Sequence, residues 1–534
     1  MPQSTGIPSL CSPNLSRAAA PHKAAVRCPG GVVVSHNRAA SEIGARILED
    51  GGNAVDAAVA TAFAVGVAEP WMSGIGGVGG MLIHRAETGD VVGIDFMGRA
   101  PRALDPRTFP PLAEGRDSDL FGWPAVEGDR NRIGAAAAIV PGDCAGLGLA
   151  LERFGTLPWR RVVEPALALA ARGMNIDWYT SVIVASAAAD LGRFPSSREV
   201  FLPGGLVPAP TPAAAGPTPR TLANPRLVET LSHLAENGPR SFYEGELAAS
   251  IADDVRDLGG SLDCDDLSAY RAQAVAPARI SYRGCAVSLL PELNGGLTLG
   301  RALLELERRF DPGRAADGGD VLTAYVNSLN AAWQDRFSRM GDAGGGRDLG
   351  CTTHLSVIDR HGNQVALTHT LLSGFGSRLV LPRSGILLNN GMYWFDPRPG
   401  HVNSIAPGKR PLCNICPAVV RGGLGTLAIG GAGGRRIVPA VLQVISRMAD
   451  FGLPLEEAMN APRIDASGTP WVIADPAFGV ETLEKLARTA DVIIADHAAY
   501  PINFAVLGAT LAHGAARIGK ADPIHPWAEA VGVR

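Results

Sequence analysis

One threonine of this chain lies where a terminal nucleophile could be made. Thr352 follows a glycine-rich run, 341–350, and begins a segment whose alternating residues, 353–360, predict a strand. A threonine hydroxyl is a poor nucleophile unless a base lies within hydrogen-bond reach. A terminal threonine carries its own base, because a free α-amine has a pKa of roughly 7.7–8.0. Cleavage between Cys351 and Thr352 would therefore put nucleophile and base on one residue.

A second glycine cluster could stabilise the oxyanion of an acyl-transfer reaction. Residues 430–435 read Gly-Gly-Ala-Gly-Gly-Arg. Glycines let backbone N–H groups approach a substrate closely, because no Cβ stands in the way. Neither this cluster nor the Thr-Thr-His at 352–354 identifies an enzyme when taken alone.

The elements that must position these residues form a mixed pattern. A hairpin is predicted from strands at 353–360 and 364–370 joined by the turn 361–363. Strands and helices do not alternate strictly elsewhere, which favours layered α/β packing over a regular doubly wound sheet. Further strands are predicted at 31–35, 81–84 and 90–96, and helices at 38–50, 53–67, 142–154, 158–173, 226–236, 245–257 and 321–340.

The motifs, taken together and in order, resemble those of the gamma-glutamyltransferase family. The likeness spans about residue 31 to at least 465. The segments that carry it are 40–44 (ASEIG), 51–59 (GGNAVDAAV), 69–70 (EP), 73–77 (SGIGG), 95–96 (DF), 352–357 (TTHLSV), 385–390 (GILLNN) with Met392, 407–412 (PGKRPL) and 433–437 (GGRRI).

The resemblance implies an N-terminal nucleophile hydrolase with a four-layer αββα sandwich, made as one precursor. Residues 1–30 are expected to be a loose tail, 31–351 a large subunit and 352–534 a small catalytic subunit that stays bound as a heterodimer. The implied catalytic residues are the nucleophile Thr352, its supporting Thr370, and the oxyanion pair Gly433 and Gly434. The implied reaction needs no cofactor and no metal, and its partner is a small-molecule amide.

Four positions depart from the family's glutamyl-binding pattern. Met97 replaces an arginine, Leu372 an asparagine, Cys413-Asn414 a serine pair, and Tyr393-Trp394 stands where an aspartate is usual. Each lost charge-assisted contact is typically worth about 1.5–3 kcal/mol. We therefore expect hydrolysis or transfer of the acyl group of a different small acid. Its expected substrate contacts are Arg99, Asn389, Asn390, Tyr393, Trp394 and Asn414.

Several alternatives remain open from the sequence. A true gamma-glutamyl transferase or glutathione hydrolase would keep the family's substrate. An oxamate amidohydrolase would suit a carboxylate held by Arg99. An uncleaved relative would bind or scaffold without catalysis. The run 73–80 does not predict a dinucleotide site, because it precedes a strand instead of joining a strand to a helix.

Composition excludes other classes of function. The formal net charge of −4, without a dense basic run, gives no case for nucleic acid or an anionic membrane. The longest mostly apolar run, 57–68, is shorter than the roughly twenty residues of a membrane helix, and residues 1–26 lack a signal-peptide core. We expect a cytoplasmic protein with reduced thiols. The pair Cys413-x-x-Cys416 lacks the second pair of a zinc site.

Overall fold

Two antiparallel sheets of seven strands face each other at the centre of the molecule. The computed structural model describes residues 6–12, 22–116, 123–212, 220–312, 316–340 and 351–534. The glycine-rich run 341–350, parts of the predicted tail and residues 213–219 lie outside these residues.

The described strands are mostly short and buried. In chain order they are β1 (Val26–Arg27), β2 (Gly31–Ser35), β3 (Val78–His84), β4 (Val91–Phe96), β5 (Pro111–Arg116), β6 (Pro124–Val126), β7 (Met174–Asn175), β8 (Thr221–Leu222), β9 (Gln273–Val275), β10 (Ala278–Tyr282), β11 (Cys285–Leu289), β12 (Cys351–Asp359), β13 (Gln364–Leu372), β14 (Ala418–Gly422), β15 (Gly425–Ala432), β16 (Ile464–Asp465), β17 (Trp471–Ala474), β18 (Asp491–Ile494), β19 (Val506–His513), β20 (Ala516–Ala521) and β21 (Glu529–Val533).

The described helices lie mainly outside the two large sheets. In chain order they are α1 (Arg38–Glu49), α2 (Ala54–Ala68), α3 (Asp143–Phe154), α4 (Trp159–Arg172), α5 (Trp178–Leu191), α6 (Pro195–Phe201), α7 (Pro225–Asn237), α8 (Gly245–Asp257), α9 (Cys264–Ala269), α10 (Gly296–Arg309), α11 (Gly319–Met340), α12 (Ile437–Phe451), α13 (Leu455–Asn460) and α14 (Val480–Ala487).

The layers follow the order helix, sheet, sheet, helix. One sheet has the strand order β21-β2-β12-β13-β3-β4-β9, and α1 and α2 pack on its outer face. The other has the order β1-β20-β19-β15-β14-β11-β10, and α10 and α12 cover it. Strands β12 and β13 pack across the interface against β15. The predicted αββα sandwich is confirmed.

Helix α2 shows how the sequence specifies one outer layer. The Asn53 side chain accepts the N–H groups of Val55 and Asp56, and the Asp56 carboxylate accepts the N–H of Asn53, which completes a capping box. Every residue of the helix is buried, consistent with its Ala- and Val-rich sequence. The predicted helix at 53–67 is confirmed almost to the residue.

Part of the predicted tail is ordered against the body. Val26 and Arg27 form β1, which pairs with Gly519 and Ile518 of β20. The Lys23 ammonium donates to two backbone carbonyls near the carboxyl end of the chain. The description of 1–30 as a loose tail is therefore wrong for residues 23–30, because this segment completes the edge of a sheet.

No helix among the described residues combines the length and the apolar character needed to cross a bilayer.

Candidate active site

Thr352 lies at the start of β12, a central strand between β2 and β13. Cys351 pairs with Leu372 and Thr353 pairs with His369. Two residues of β13, Thr370 and Leu371, therefore lie opposite the single Thr352. This bulge turns the local backbone, a feature that often occurs beside active sites. The Thr352 side chain is almost fully buried, and its hydroxyl donates to the Thr370 hydroxyl at 3.4 Å.

The Thr370 hydroxyl is held in a fixed direction. Its oxygen accepts a 2.7 Å hydrogen bond from the N–H of Leu372. Leu372 has φ 82°, in the left-handed region that L side chains rarely adopt. The structure thus brings together Thr352 and Thr370, the predicted nucleophile and its predicted support.

The glycine pair at 433–434 forms the turn between β15 and α12. Gly433 has φ 133° and Gly434 has φ 58°, and a Cβ on Gly433 would lie 3.1 Å from the Ala505 Cα. The Arg436 guanidinium fixes this turn, since its Nε donates to the Gly433 carbonyl at 3.1 Å. The turn therefore requires glycine, which explains the sequence signal. Its role in binding an oxyanion stays a prediction.

A pocket of about 330 Å³ opens beside these elements. Ser373, which follows Leu372 directly, lines one side, and Gly433 lines another. Most of the wall is apolar or aromatic, including Trp71 and Phe375. A volume of this size suits a small organic molecule.

Tyr393 and Trp394 belong to an apolar cluster that includes three of the departures noted in the sequence. Met97, Leu372 and Cys413 are buried members of the same cluster. Tyr393 also lines the pocket, whereas Trp394 is buried behind it and is not a lining residue. The structure thus gathers apolar side chains at positions where glutamyl-specific relatives are expected to be polar.

Asn389 and Asn390 hold loops together through backbone groups. Asn389 accepts the N–H groups of Ile139 and Gly391, and donates to the carbonyls of Gly76 and Ile139. Neither asparagine lines the pocket. The polar atoms of Asn389 are all engaged with the backbone, which gives this side chain a positioning role, and the substrate contacts of both asparagines stay predictions.

Asn390 acts on two segments that do line the pocket. Its Oδ1 accepts the N–H of Ser373 at 3.1 Å, and its Nδ2 donates to the carbonyl of Arg132 at 3.3 Å. Both Ser373 and Arg132 are lining residues. This asparagine therefore fixes pocket walls that come from distant parts of the chain.

Arg99 and Asn414 lie away from the pocket. Arg99 is exposed, and its Nη1 donates to the Gly408 carbonyl at 3.5 Å. Asn414 is buried, and its Oδ1 accepts from Arg336 Nη2 at 3.3 Å. Neither residue lines the pocket, and their substrate contacts stay predictions. Arg99 is an exposed residue between buried neighbours, and sequence motifs alone could not show which way its side chain points.

The histidines near Thr352 are structural parts of the sheet. His354 shares hydrogen bonds with the hydroxyls of Thr368 at 2.8 Å and Ser356 at 2.9 Å. Burial lowers the pKa of His354 well below its ordinary value, so this ring is neutral near pH 7. On the opposite face, His369 contacts the Asp143 carboxylate at 3.0 Å. The contacts of His354 therefore lie within the sheets.

The cysteine pair is buried and protonated. Burial raises the pKa of Cys413 and of Cys416 to about 12. In the part of the chain that the structure describes, no group of three or more His, Cys, Asp or Glu side chains is arranged to hold a metal ion.

Two arginines that line the pocket, Arg132 and Arg378, belong to no motif recognised in the sequence. Arg132 lies in the segment between β6 and α3, and Arg378 lies in the irregular loop that follows β13. No spacing motif connects them. The structure, unlike the sequence, distinguishes Arg378 by its backbone, which has φ 63°.

Comparison with known proteins agrees with this geometry. The family model described as gamma-glutamyltranspeptidase matches residues 40–349 and 343–530. The glutathione hydrolase proenzyme of Escherichia coli (strain K12) is 32% identical over 514 residues, which cover 86% of this chain and 85% of that protein. The acylase ACY 1 proenzyme of Pseudomonas sp. (strain V22) is 36% identical over 477 residues, which cover 82% and 83%.

Solved structures give the same result. A cephalosporin acylase from Bacillus halodurans superposes with a TM-score of 0.82 at 25% identity, covering 98% of this chain and 99% of that one. The gamma-glutamyltranspeptidase of Helicobacter pylori superposes with a TM-score of 0.50 at 29% identity, covering 57% and 82%. The chain therefore belongs to the gamma-glutamyltranspeptidase family, whose members are hydrolases and acyltransferases.

Proposed function

We propose that this chain is a proenzyme that cleaves itself between Cys351 and Thr352 and then hydrolyses a small-molecule amide through an acyl-enzyme on Thr352. The observation that carries the proposal is the position of Thr352. It begins a central strand, and its hydroxyl lies 3.4 Å from a threonine hydroxyl that a backbone N–H holds in place.

Self-cleavage in this proposal uses the Thr352 hydroxyl. Its oxygen attacks the Cys351 carbonyl carbon, the C–N bond breaks, and the proton lost by the hydroxyl passes to the peptide nitrogen, which becomes the free α-amine. Water then hydrolyses the resulting ester and leaves a carboxylate on Cys351. The products are residues 1–351 and 352–534. Two of the relatives are named proenzymes, which supports a processing step.

Amide hydrolysis then repeats the same chemistry on a substrate. The α-amine accepts the Thr352 hydroxyl proton while the oxygen attacks the substrate carbonyl. The proton passes to the departing amine, and an ester joins the acyl group to Thr352. Backbone N–H groups at Gly433 and Gly434 would stabilise the oxyanion. Water, deprotonated by the same α-amine, hydrolyses the ester and releases the acid.

The acyl group in this proposal is not gamma-glutamyl. Met97, Leu372 and Cys413 belong to one buried apolar cluster with Tyr393 and Trp394. Burying the ammonium and carboxylate of a glutamyl group without paired charges is costly. An acid that lacks this zwitterion fits the cluster better. The 36% identity to an acylase proenzyme supports this reading, whereas the 32% identity to a glutathione hydrolase proenzyme supports the alternative of a glutamyl enzyme.

The test compares p-nitroanilides of gamma-glutamate, glutarate and valerate, with oxamate as a further substrate. Glutarate differs from gamma-glutamate only by the missing α-amino group. We expect kcat/KM for glutaryl or valeryl p-nitroanilide to exceed that for the gamma-glutamyl compound by at least about tenfold, the effect of one unpaired buried charge-assisted contact. A Thr352→Ala variant should be inactive on every compound. A preference for the gamma-glutamyl compound would establish the glutamyl alternative.

An uncleaved binding protein remains a separate candidate function because Thr352 is almost fully buried in the intact chain. A denaturing gel distinguishes the two. Two unequal bands support the enzyme, and one full-length band after long incubation supports the non-catalytic relative.

A further inference from the structure

The pocket lined by Ser373 and Gly433 carries an excess of positive charge in a largely apolar wall. Its described lining includes three arginines, Arg132, Arg378 and Arg436, and one aspartate, Asp190. Apolar side chains such as Trp71 and Phe375 form much of the remaining surface. Charges act more strongly on a ligand in such a surrounding than in bulk water.

Arg436 is already committed to the protein. Its Nε donates to the Gly433 carbonyl, and its Nη1 donates to the Ile502 carbonyl. These bonds fix the glycine turn. Arg132 and Arg378 line other walls of the same pocket.

Arg378 is held in the pocket by a strained loop. Its backbone has φ 63°, and Phe375 in the same loop has φ 57°. Non-glycine residues keep this conformation only where surrounding contacts impose it, and such residues concentrate at functional sites. Its Nη1 donates to the Gly376 carbonyl at 3.1 Å, while the Asp190 carboxylate lies 3.9 Å from its Nε. This ion pair is at the limit of direct contact.

Arg132 reaches the same pocket from another segment. Its Nη2 contacts the Asp129 carboxylate at 3.1 Å, and its own carbonyl accepts from Asn390. A guanidinium has five N–H donors, so a contact through Nη2 is compatible with a second acceptor. Its side chain is 22% exposed, which leaves it accessible from the pocket.

We propose that Arg132 and Arg378 recognise a carboxylate of the substrate while Trp71, Phe375 and Tyr393 contact its apolar body. A guanidinium matches a carboxylate in shape and charge. The inference rests on the proposed function, because it assigns this pocket to the substrate of Thr352. It moves carboxylate recognition from the exposed Arg99 to two residues that line the cavity. The carboxylate belongs either to the acyl group or to the leaving amine.

Binding of small acids tests the proposal without relying on turnover. Isothermal titration calorimetry on the purified wild-type protein compares glutarate with valerate for the acyl side, and 4-aminobenzoate with aniline for the amine side. We expect the more anionic member of at least one pair to bind about tenfold more tightly, as for a charge-assisted contact. The pair that shows the preference identifies the source of the carboxylate.

Three variants complete the experiment. Arg132→Met and Arg378→Met should each abolish the preference, whereas the matched control Arg161→Met, an exposed arginine paired with Asp50 outside the pocket, should keep it. If Arg378→Met lowers the melting temperature because of its strained position, Arg132→Met decides the result. No preference in the wild type, or a preference that survives in Arg132→Met, overturns the proposal. Inactivity on every amide would instead count against the proposed function, since the binding measurement does not depend on catalysis.

Discussion

At the scale of single residues, the account depends on two threonine hydroxyls. Thr352 donates to Thr370, and Thr370 accepts from the N–H of Leu372. The sequence indicated both threonines, because family motifs contain them in fixed positions. It could not indicate Arg132 or Arg378, which meet in the pocket only after segments that are distant in sequence pack together.

Replacing Thr370 with valine tests this support. The change removes the acceptor for Thr352 and keeps the side-chain shape. We expect kcat to fall about tenfold, the effect of about one hydrogen bond on the reacting hydroxyl, and self-cleavage to slow. Steady-state kinetics and a time course on denaturing gels measure both.

Thr510→Val provides the matched control. The Thr510 hydroxyl is also buried between strands and donates to Gln364 Oε1 at 3.2 Å. Its loss should lower stability without changing kcat. Equal losses of kcat in the two variants would show that Thr370 acts only through the fold.

At the scale of elements, local patterns predicted most of what surrounds the site. The hairpin predicted at 353–360 and 364–370 is formed by β12 and β13, and the helices predicted at 142–154 and 245–257 match α3 and α8. The alternation of apolar and polar residues in strands and the capping residues of helices depend only on neighbouring residues, so they can be recognised in the sequence. The bulge opposite Thr352 and the left-handed loop around Phe375 arise from tertiary packing, and no local pattern indicated them.

Asn389 is the residue that best tests how these elements are joined. Asn389→Ala removes four buried hydrogen bonds that tie its loop to Gly76, Ile139 and Gly391. Because the backbone partners stay buried, we expect a loss of about 3 kcal/mol in the free energy of unfolding. Urea denaturation measures it. Asn237→Ala, at an exposed helix end, should change stability by less than about 0.5 kcal/mol; a similar small change at Asn389 would contradict the positioning role.

At the scale of the whole molecule, both proposed subunits build both central sheets. The segment 352–534 supplies β12, β13 and β21 to one sheet, and the segment 31–351 supplies β2, β3, β4 and β9. The other sheet is shared in the same way. Cleavage before Thr352 would leave these ladders in place, so we expect the two chains to remain associated in gel filtration.

A buried ion pair joins three segments of the small-subunit region. Arg463 and Asp522 are fully buried and 3.0 Å apart. Burial alone would raise the pKa of Asp522, but the charges of Arg463 and His497 and the N–H groups of Leu507 and Ile524 outweigh it and hold the pKa below its ordinary value. Asp522→Asn should reduce the free energy of unfolding by about 3–5 kcal/mol at pH 7.

The direction of the pKa shift of Asp522 determines how this stabilisation depends on pH. The unfolded carboxyl has a pKa of about 3.9, and the folded value is lower, so the contribution is complete above about pH 5 and is lost as the pH falls through the folded pKa. Urea denaturation of the wild type and of Asp522→Asn between pH 3 and pH 7 measures the difference in their free energies of unfolding. Asp105→Asn, which breaks an exposed pair with Arg107, should leave the free energy of unfolding nearly unchanged over the same pH range, because solvent screens an exposed pair. A difference for Asp522 that grows on acidification would contradict this assignment.

Mass spectrometry of the purified protein under denaturing conditions tests the central claim most directly. We predict two polypeptides, 1–351 and 352–534, with Thr352 as the new amino terminus, and a single full-length chain for Thr352→Ala. An intact wild-type polypeptide that nevertheless hydrolyses amides would contradict it.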